Sequence, residues 1–419
     1  MSEQTTTVPQ PARASDLQDE RLQDRSGARG QARAFTDRLR SGELGVLPFI
    51  VGLVIIWTVF QLLNPVFLSS ANLVNLTMES AAVGVIALGI VVVLLVAQID
   101  LSVGSVSGLS AATVAVLAVQ RELPVVVAIA AAVVGGAVIG WVYAQVFNRL
   151  AIPSFVITLA GLLGFLGLQL WVLGDAGSIN LPFGSPLVEF AQLAFMPDWL
   201  SYLLVVATAA ALFATGWARA RERRAADLSA ASLKGLLLRS ALLLVVMGAA
   251  VWYLNRTRGV GWMFVFFVAL VLVLHYGLTR TSWGRSLFAV GGNAEAARRA
   301  GIKVRAVYTS AFVLCSTLAA VGGVLAAARL AAANQSSGGG DVNLNAIAAA
   351  VIGGTSLFGG RGSAFAALLG ILVIQSISSG LTLLNLDSSF RFMVTGAVLL
   401  LAVALDSVSR RSLASHGRA

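Results

Sequence analysis

Long apolar runs recur through this chain from residue 46 almost to its end, and no other feature constrains its fold as much. Candidate spans cover 46–63, 80–98, 101–119, 125–147, 154–173, 200–217, 240–254, 262–278, 307–329, 344–358, 363–383 and 389–406. A bilayer core about 30 Å thick takes roughly 20 helical residues to cross. Most of the runs meet that length, while 240–254 and 344–358 are short enough to be half-spans or re-entrant segments. Hydrophobic residues make up 58% of the 419-residue chain and charged residues 11%. An average soluble domain carries about 25% charged residues, so too little polar surface remains here to clothe a water-facing globule. The fold class that follows is an all-α polytopic membrane protein with about 10–12 transmembrane helices. A disulfide-rich secreted scaffold is excluded, because Cys315 is the single cysteine.

The formal net charge of +10 raises the question of nucleic acid. The placement of the charges answers it. Residues 218–240 hold six Lys/Arg and two acids, residues 279–306 hold six Lys/Arg and one acid, and Arg410, Arg411 and Arg418 follow the last run. Basic loops between apolar runs mark the cytoplasmic side of a membrane protein, and no aromatic–basic interleaving accompanies them, so no nucleic-acid partner is expected. With an even number of spans and the N-terminus inside, these clusters fall in the cytoplasm. Arg121, Arg256, Arg258 and Arg329 fall outside together with Glu122, Asp175, Glu189, Asp198, Asp341 and Asp387. Both termini are therefore expected to be cytoplasmic.

Residues 1–45, with seven arginines and seven acids and few large apolar groups, read as a disordered cytoplasmic tail rather than a signal peptide. Residues 46–406 form the transmembrane domain and 407–419 a cytoplasmic C-terminal tail. Residues 174–199 make the longest outer loop, and its apolar run around Val188–Phe195 suggests a short helix lying on the membrane surface. Glu79, Asp100, His275, Arg329, Arg361 and Arg391 all fall at or near span ends on this division.

Polar groups inside apolar runs are costly and therefore informative. The stretch QIDLSVGSVSG, 98–108, sets Asp100, Ser102 and Gly104 between two spans. Asp100 is suited to cap the next helix by accepting from the backbone N–H groups of residues 102 and 103. Two readings stand: a broken helix whose backbone lines a solute path, and a plain capping turn at the cytoplasmic interface. A second stretch, GGTSLFGGRGS at 353–363, holds Gly353, Gly354 and Thr355. It lacks the GxxxxGK[ST] pattern of a phosphate-binding loop, so its readings are a tight turn between packed helices or a part of the core near a path. The third stretch is the basic loop TSWGRSLFAVGGNAEAARRAGI, 281–302. Asn293 is a good N-cap, Glu295 lies in the first turn, Arg298 and Arg299 lie in the last, and Gly301 is a stop. A two-turn helix so exposed is marginal alone and fits docking into a partner's groove. No His pair, convergent carboxylates or nucleophile–base pair marks a catalytic or metal site, and Cys315 reads as a small packing residue.

Together these stretches resemble the membrane-spanning permease subunits of bacterial ATP-binding-cassette sugar importers, in their ribose/xylose branch. IDLSVGSVSGL is similar to that family's signature near the third span. AIPSFVITLAGLLGFLGLQL at 151–170, the 281–302 loop and AAVIGGTSLFGGRGS resemble three further family segments in the same order. The resemblance covers about 46–410; the N-terminal tail departs from it. An added helix pair near 218–278 is similar to one in the D-xylose-type members, which makes D-xylose the leading solute, ahead of ribose or another monosaccharide and of branched-chain amino acids. The resemblance implies a pore-forming subunit, working as a pair of copies in the lipid bilayer. It implies partnership with a separate ATPase subunit that uses ATP and Mg, and with an extracytoplasmic sugar-binding protein. No cofactor is expected on this chain itself. On the matching positions Gly292, Asn293, Glu295, Ala296, Arg298 and Gly301 form the segment that meets the ATPase, and Asp100, Ser102, Gly104, Gly353, Gly354 and Thr355 belong to the core or the path. An ion-coupled secondary transporter is the alternative of another class. It would keep a titratable residue near the midplane, where the span count places none.

Overall fold

The computed structural model describes residues 47–339, 341–387, 389–390, 392–394, 396–397 and 400. The two tails and most of the last span, 389–406, lie outside the described residues. The chain divides into two compact units, one taking Val46–Met196 and Leu254–Arg411 and the other built on Pro197–Tyr253.

The first unit carries α1 (Leu47–Leu63), α2 (Ser70–Leu95), α3 (Val103–Ala115), α4 (Val125–Leu150), α5 (Ser154–Leu173) and the short α6 (Pro186–Gln192). In the second, α7 (Asp198–Ala225) and α8 (Leu233–Leu254) are joined by a short turn; α8 closes at the boundary with the first unit. That turn is closed by Arg223 and Arg224, which donate to the Ser229 and Ala231 carbonyls at 2.6 and 3.3 Å, while Gly216 leaves room for the Leu236 side chain. The first unit resumes with α9 (Trp262–Arg280), α10 (Ser282–Gly292), α11 (Ala294–Arg299), α12 (Val304–Leu330), α13 (Val342–Ile352) and α14 (Ala364–Leu383). Nine helices among the described residues are long and apolar enough to cross a membrane. The expected all-α polytopic architecture is what forms.

In the first unit α12 is the central rod, packed on α2, α3 and α4. Lipid is as apolar as leucine, so helices gain little by hiding leucine from it and pack instead where small residues bring backbones close. Gly89 of α2 lies against the Cys315 backbone, and Gly140 of α4 against that of Phe312, at positions where a methyl group would collide with main-chain atoms. Two strands, β1 (Ser178–Asn180) and β2 (Ala332–Asn334), pair antiparallel with Ile179 opposite Ala333 and tie the two long loops at one end.

Two span boundaries need correction. α2 starts at Ser70, not near residue 80, because Ser69 caps it by accepting from Asn72 N at 3.3 Å; its polar first turns hide it from a hydropathy count. Glu79 consequently lies well inside a span. The span expected over 344–358 ends early: α13 stops at Ile352, and the glycine-rich run beyond it is a tight turn, one of its two readings. The short helix expected in the 174–199 loop forms as α6, and it is anchored to the bundle: Val188 and Ala191 are completely buried, and Gln192 donates to the Arg329 carbonyl at 2.9 Å.

Candidate functional site

The three stretches singled out from sequence meet at one end of the bundle, and the meeting point is the C-terminus of α2. A helix end leaves its last carbonyls without intrahelical partners, and each needs one. Here Ala97 N–H bonds to Leu94 O at 2.8 Å and Gln98 N–H to Val93 O at 3.1 Å, the pattern of a Schellman cap. Ala97 takes the left-handed conformation, φ 58°, that glycine usually fills. The Leu95 carbonyl is left over, and Gly360 N–H of the glycine-rich turn reaches it at 3.0 Å.

That turn, 353–363, links α13 to α14. Thr355 N–H bonds to Ala350 O at 3.0 Å and Gly354 N–H to Val351 O at 2.9 Å, closing α13 with the same motif and with Gly354 at φ 100°. Gly353 lies so close to the Ala366 carbonyl that a Cβ would collide with it. Thr355 is buried, and its hydroxyl has no hydrogen-bond partner among the described residues. The third participant is α10. At its penultimate residue, Gly291, an added Cβ would strike the Leu95 carbonyl oxygen and stand 2.7 Å from Gly360 N, whereas at Gly292 it would meet nothing within 4 Å. One backbone junction thus joins α10, the end of α2 and the glycine-rich turn.

From the same α2 end the chain rises through 96–102 without regular structure before α3 begins. Irregular backbone at membrane depth must find its hydrogen bonds in the protein, and it finds them on α5. Ile99 N–H donates to Ser154 Oγ at 3.3 Å and Leu101 N–H to Thr158 Oγ1 at 3.1 Å. Asn343 of α13 donates to Leu101 O at 2.7 Å. The hydroxyls of the run AIPSFVITL therefore serve the backbone of the run QIDLSV, a relation no spacing rule reveals.

Asp100 is fully buried. Its Oδ1 accepts from Ser102 N at 2.8 Å and from Ser102 Oγ at 2.7 Å, but not from residue 103, so half of the expected cap forms and Ser102 itself stands at the N-cap position of α3. Tyr143 of α4 donates to Ser102 Oγ at 2.8 Å. Asp100 Oδ2 has no hydrogen-bond partner among the described residues, and the Cys315 thiol of α12 stands against the carboxylate. Sequence reasoning missed Tyr143 and treated Cys315 as mere packing; a tyrosine and a cysteine inside apolar spans gave no signal of a shared neighbour. Gly104 lets the outer loop approach α3: an added Cβ would stand 3.1 Å from Asn343 Cβ and overlap the Gly338 carbonyl.

Beyond the junction lies α11. Asn293 Oδ1 accepts from Ala296 N at 2.9 Å, Glu295 and Arg298 pair at 3.0 Å, and Gly301 follows at φ 85°. Ala297 turns inward while Gly292, Asn293, Glu295, Ala296, Arg298 and Gly301 are exposed. The ion pair is open to water on both sides and stabilises little; its effect is to present a patterned surface. Beside it runs a basic groove of about 480 Å³ lined by Arg298, Ile302, Lys303, Val304 and Arg305.

Against known proteins, residues 72–403 match the family described as branched-chain amino acid transport system / permease component. The chain belongs to this permease family. Among its relatives is the xylose transport system permease protein XylH of Escherichia coli K12, 33% identical over 375 residues, or 89% of this chain and 94% of the relative. The XylH protein of Haemophilus influenzae is 32% identical over 90% of this chain and all of the relative. The ribose import permease protein RbsC of E. coli K12 is 29% identical over 85% of this chain and 92% of the relative. No solved structure matches. A multi-pass permease of the cell membrane is what the family and the apolar helices together describe.

Proposed function

We propose that this permease is the translocating subunit of an ATP-binding-cassette importer and that its solute is a monosaccharide, D-xylose first. The junction carries the reading: α11 is exposed and capped for docking, and α10, to which Asn293 joins it, is locked through Gly291 onto α2 and the glycine-rich turn. A separate ATPase subunit that closes on ATP pushes α10 and α11. Because Leu95 O, Gly291 and Gly360 are in backbone contact, that push reaches α2, the 96–102 segment and α13 rather than being absorbed locally. These elements then have two arrangements whose balance nucleotide sets, and two copies of the chain enclose the path between them. An extracytoplasmic binding protein delivers the sugar and supplies much of the selectivity. The choice of xylose rests on XylH relatives standing above RbsC in identity.

Uptake of labelled D-xylose in cells lacking and then regaining this gene tests the reading, with and without a protonophore, and with unlabelled ribose, arabinose and galactose as competitors. Restored uptake that survives the protonophore at maintained ATP is the expected result. Loss of uptake with the proton gradient at constant ATP overturns the ATP-driven mechanism, and uptake of ribose without xylose moves the solute.

A further inference from the structure

Glu79 is the one acidic residue inside the α2 span, and it is exposed. At 1.5 Å per residue it lies about 13 Å from the Ser70 end of a helix roughly 39 Å long, which sets it about 9 Å inside a 30 Å hydrocarbon layer centred on that helix. Its Oε2 accepts from Gln375 Nε2 at 2.6 Å. Gln375 lies about 12 Å from the Leu383 end of α14, so the two helices agree on the depth. A polar pair so placed does not face lipid: intramembrane acids face a protein interior or water.

The pair does not stand alone. Asn72, Asn75, Glu79 and Val83 recur on α2 at spacings of three and four and share one face. Asn72 Oδ1 accepts from Ser379 Oγ at 3.1 Å, one turn outward from Gln375 on α14. Asn75 Oδ1 accepts from the exposed Arg258 guanidinium, which stacks 5.3 Å over the Phe195 ring. Polar groups thus form a continuous strip from the end of α2 down to Glu79. One turn deeper on the same face, Val83 borders a cavity of about 150 Å³ whose polar side is built by Ser107, Asn334 and Ser337. At about 30 Å³ for each water, that is room for roughly five water molecules. Below Gln375, the same stripe of α14 turns apolar through Leu372, Leu368 and Phe365.

We infer that this strip is a solute-contact site, with Glu79 accepting and Gln375 donating hydrogen bonds to a small polyhydroxylated solute entering from the Ser70 end of α2. A carboxylate accepts two neighbouring hydroxyls at once, and the Gln375 amide and the Arg258 guanidinium supply donors beside it. Such an alternation of acceptors and donors suits an uncharged polyol, which carries both on every hydroxyl. The strip's gradient, from polar at its open end to apolar beneath Gln375, suits entry from one side more than a seam sealed by a second copy. The inference rests on the proposed transport of a monosaccharide.

Two measurements on the full importer in cells test it separately from that reading. The first is labelling of Gln375→Cys with a membrane-impermeant thiol reagent added outside. Cys315 is buried and is the only cysteine in the chain, so the wild type serves as the unreactive control. Labelling is expected, and it is expected to slow when D-xylose is present. The second is D-xylose uptake by Glu79→Ala, normalised to the amount of permease in the membrane: a fall of about tenfold or more in uptake at low xylose is expected, with Glu79→Gln losing less. An unreactive Gln375→Cys variant overturns the inference, because the strip is then sealed by lipid or protein; so does Glu79→Ala uptake equal to wild type. If the wild type takes up no xylose, the solute assignment fails on its own. Labelling then judges the strip, with ribose, arabinose and galactose as protectants, and protection by none of them overturns it.

Discussion

Gly291 and Gly292 are neighbours of the same type at the end of the same helix, and their alanine variants are expected to move stability in opposite directions. In a helix, alanine is favoured over glycine by about 1 kcal/mol. Gly292→Ala adds a methyl group into open space and should gain up to that amount. Gly291→Ala gains the same propensity but drives a methyl group into the Leu95 carbonyl and to within 2.7 Å of Gly360 N. The obstacle is backbone on both sides, so no side chain can swing away. Overpacking of this kind costs about 1–3 kcal/mol. Separating Gly360 N from Leu95 O also forfeits a hydrogen bond of about 1 kcal/mol and orphans a helix-terminal carbonyl. The net expectation is a loss of about 1–3 kcal/mol, set against a gain of up to about 1 kcal/mol for the neighbour. Thermal unfolding of the purified permease in detergent reads this without involving any partner: the midpoint should fall for Gly291→Ala and hold or rise for Gly292→Ala. If the two variants shift together, α10 does not bear on the end of α2 and the junction argued here is wrong. Should the expected split appear, uptake by Gly291→Ala membranes with partners present should fall further than the loss of folded protein explains.

Three further variants probe the surrounding pieces. Asn293→Ala removes the side chain that accepts from Ala296 N and should cost α11 about 1 kcal/mol, read as lower ATP-driven uptake with an unchanged amount of permease in the membrane. Glu295→Lys reverses an exposed charge beside Arg298 and should leave the permease folded while lowering uptake several-fold; normal uptake would remove α11 from the docking surface. Asp100→Ala strips both Ser102 donors of their acceptor inside the bundle, at about 1–3 kcal/mol for each group left unpaired, so the yield of folded permease should fall; a well-expressed but inactive variant would instead give Asp100 a part in the path.

The spans and the capped α11 were legible because each is a local property of consecutive residues: twenty apolar positions, or an Asn–x–Glu–x–x–Arg pattern closed by glycine. The start of α2 was not, for a physical reason. Averaged hydropathy discards SANLVNLTMES because of Asn72, Asn75 and Glu79, yet these residues sit on one face of a helix whose other faces are buried through Val74, Leu76 and Met78. A stripe disappears in an average. What the average rejected as loop is the polar strip beside α14, so the error in the span boundary and the missed site have one cause.

The junction was hidden for a different reason. Its glycines could be counted in the sequence, but a glycine states only that a methyl group is absent, and what fills the place comes from elsewhere in the chain. Gly291 faces Leu95 and Gly360, nearly two hundred residues before it and about seventy after, while Gly292 faces nothing. The same holds for Ser154 and Thr158, which in a sequence are ordinary hydroxyls near the start of α5 and in the fold are the acceptors that let residues 96–102 run unwound through the bundle. On the proposed mechanism, backbone-to-backbone contact passes a push from one helix to the next with no flexible side chain in between. Residue types at the junction are therefore small and uninformative, and its chemistry is carried by carbonyls and amides that every residue possesses.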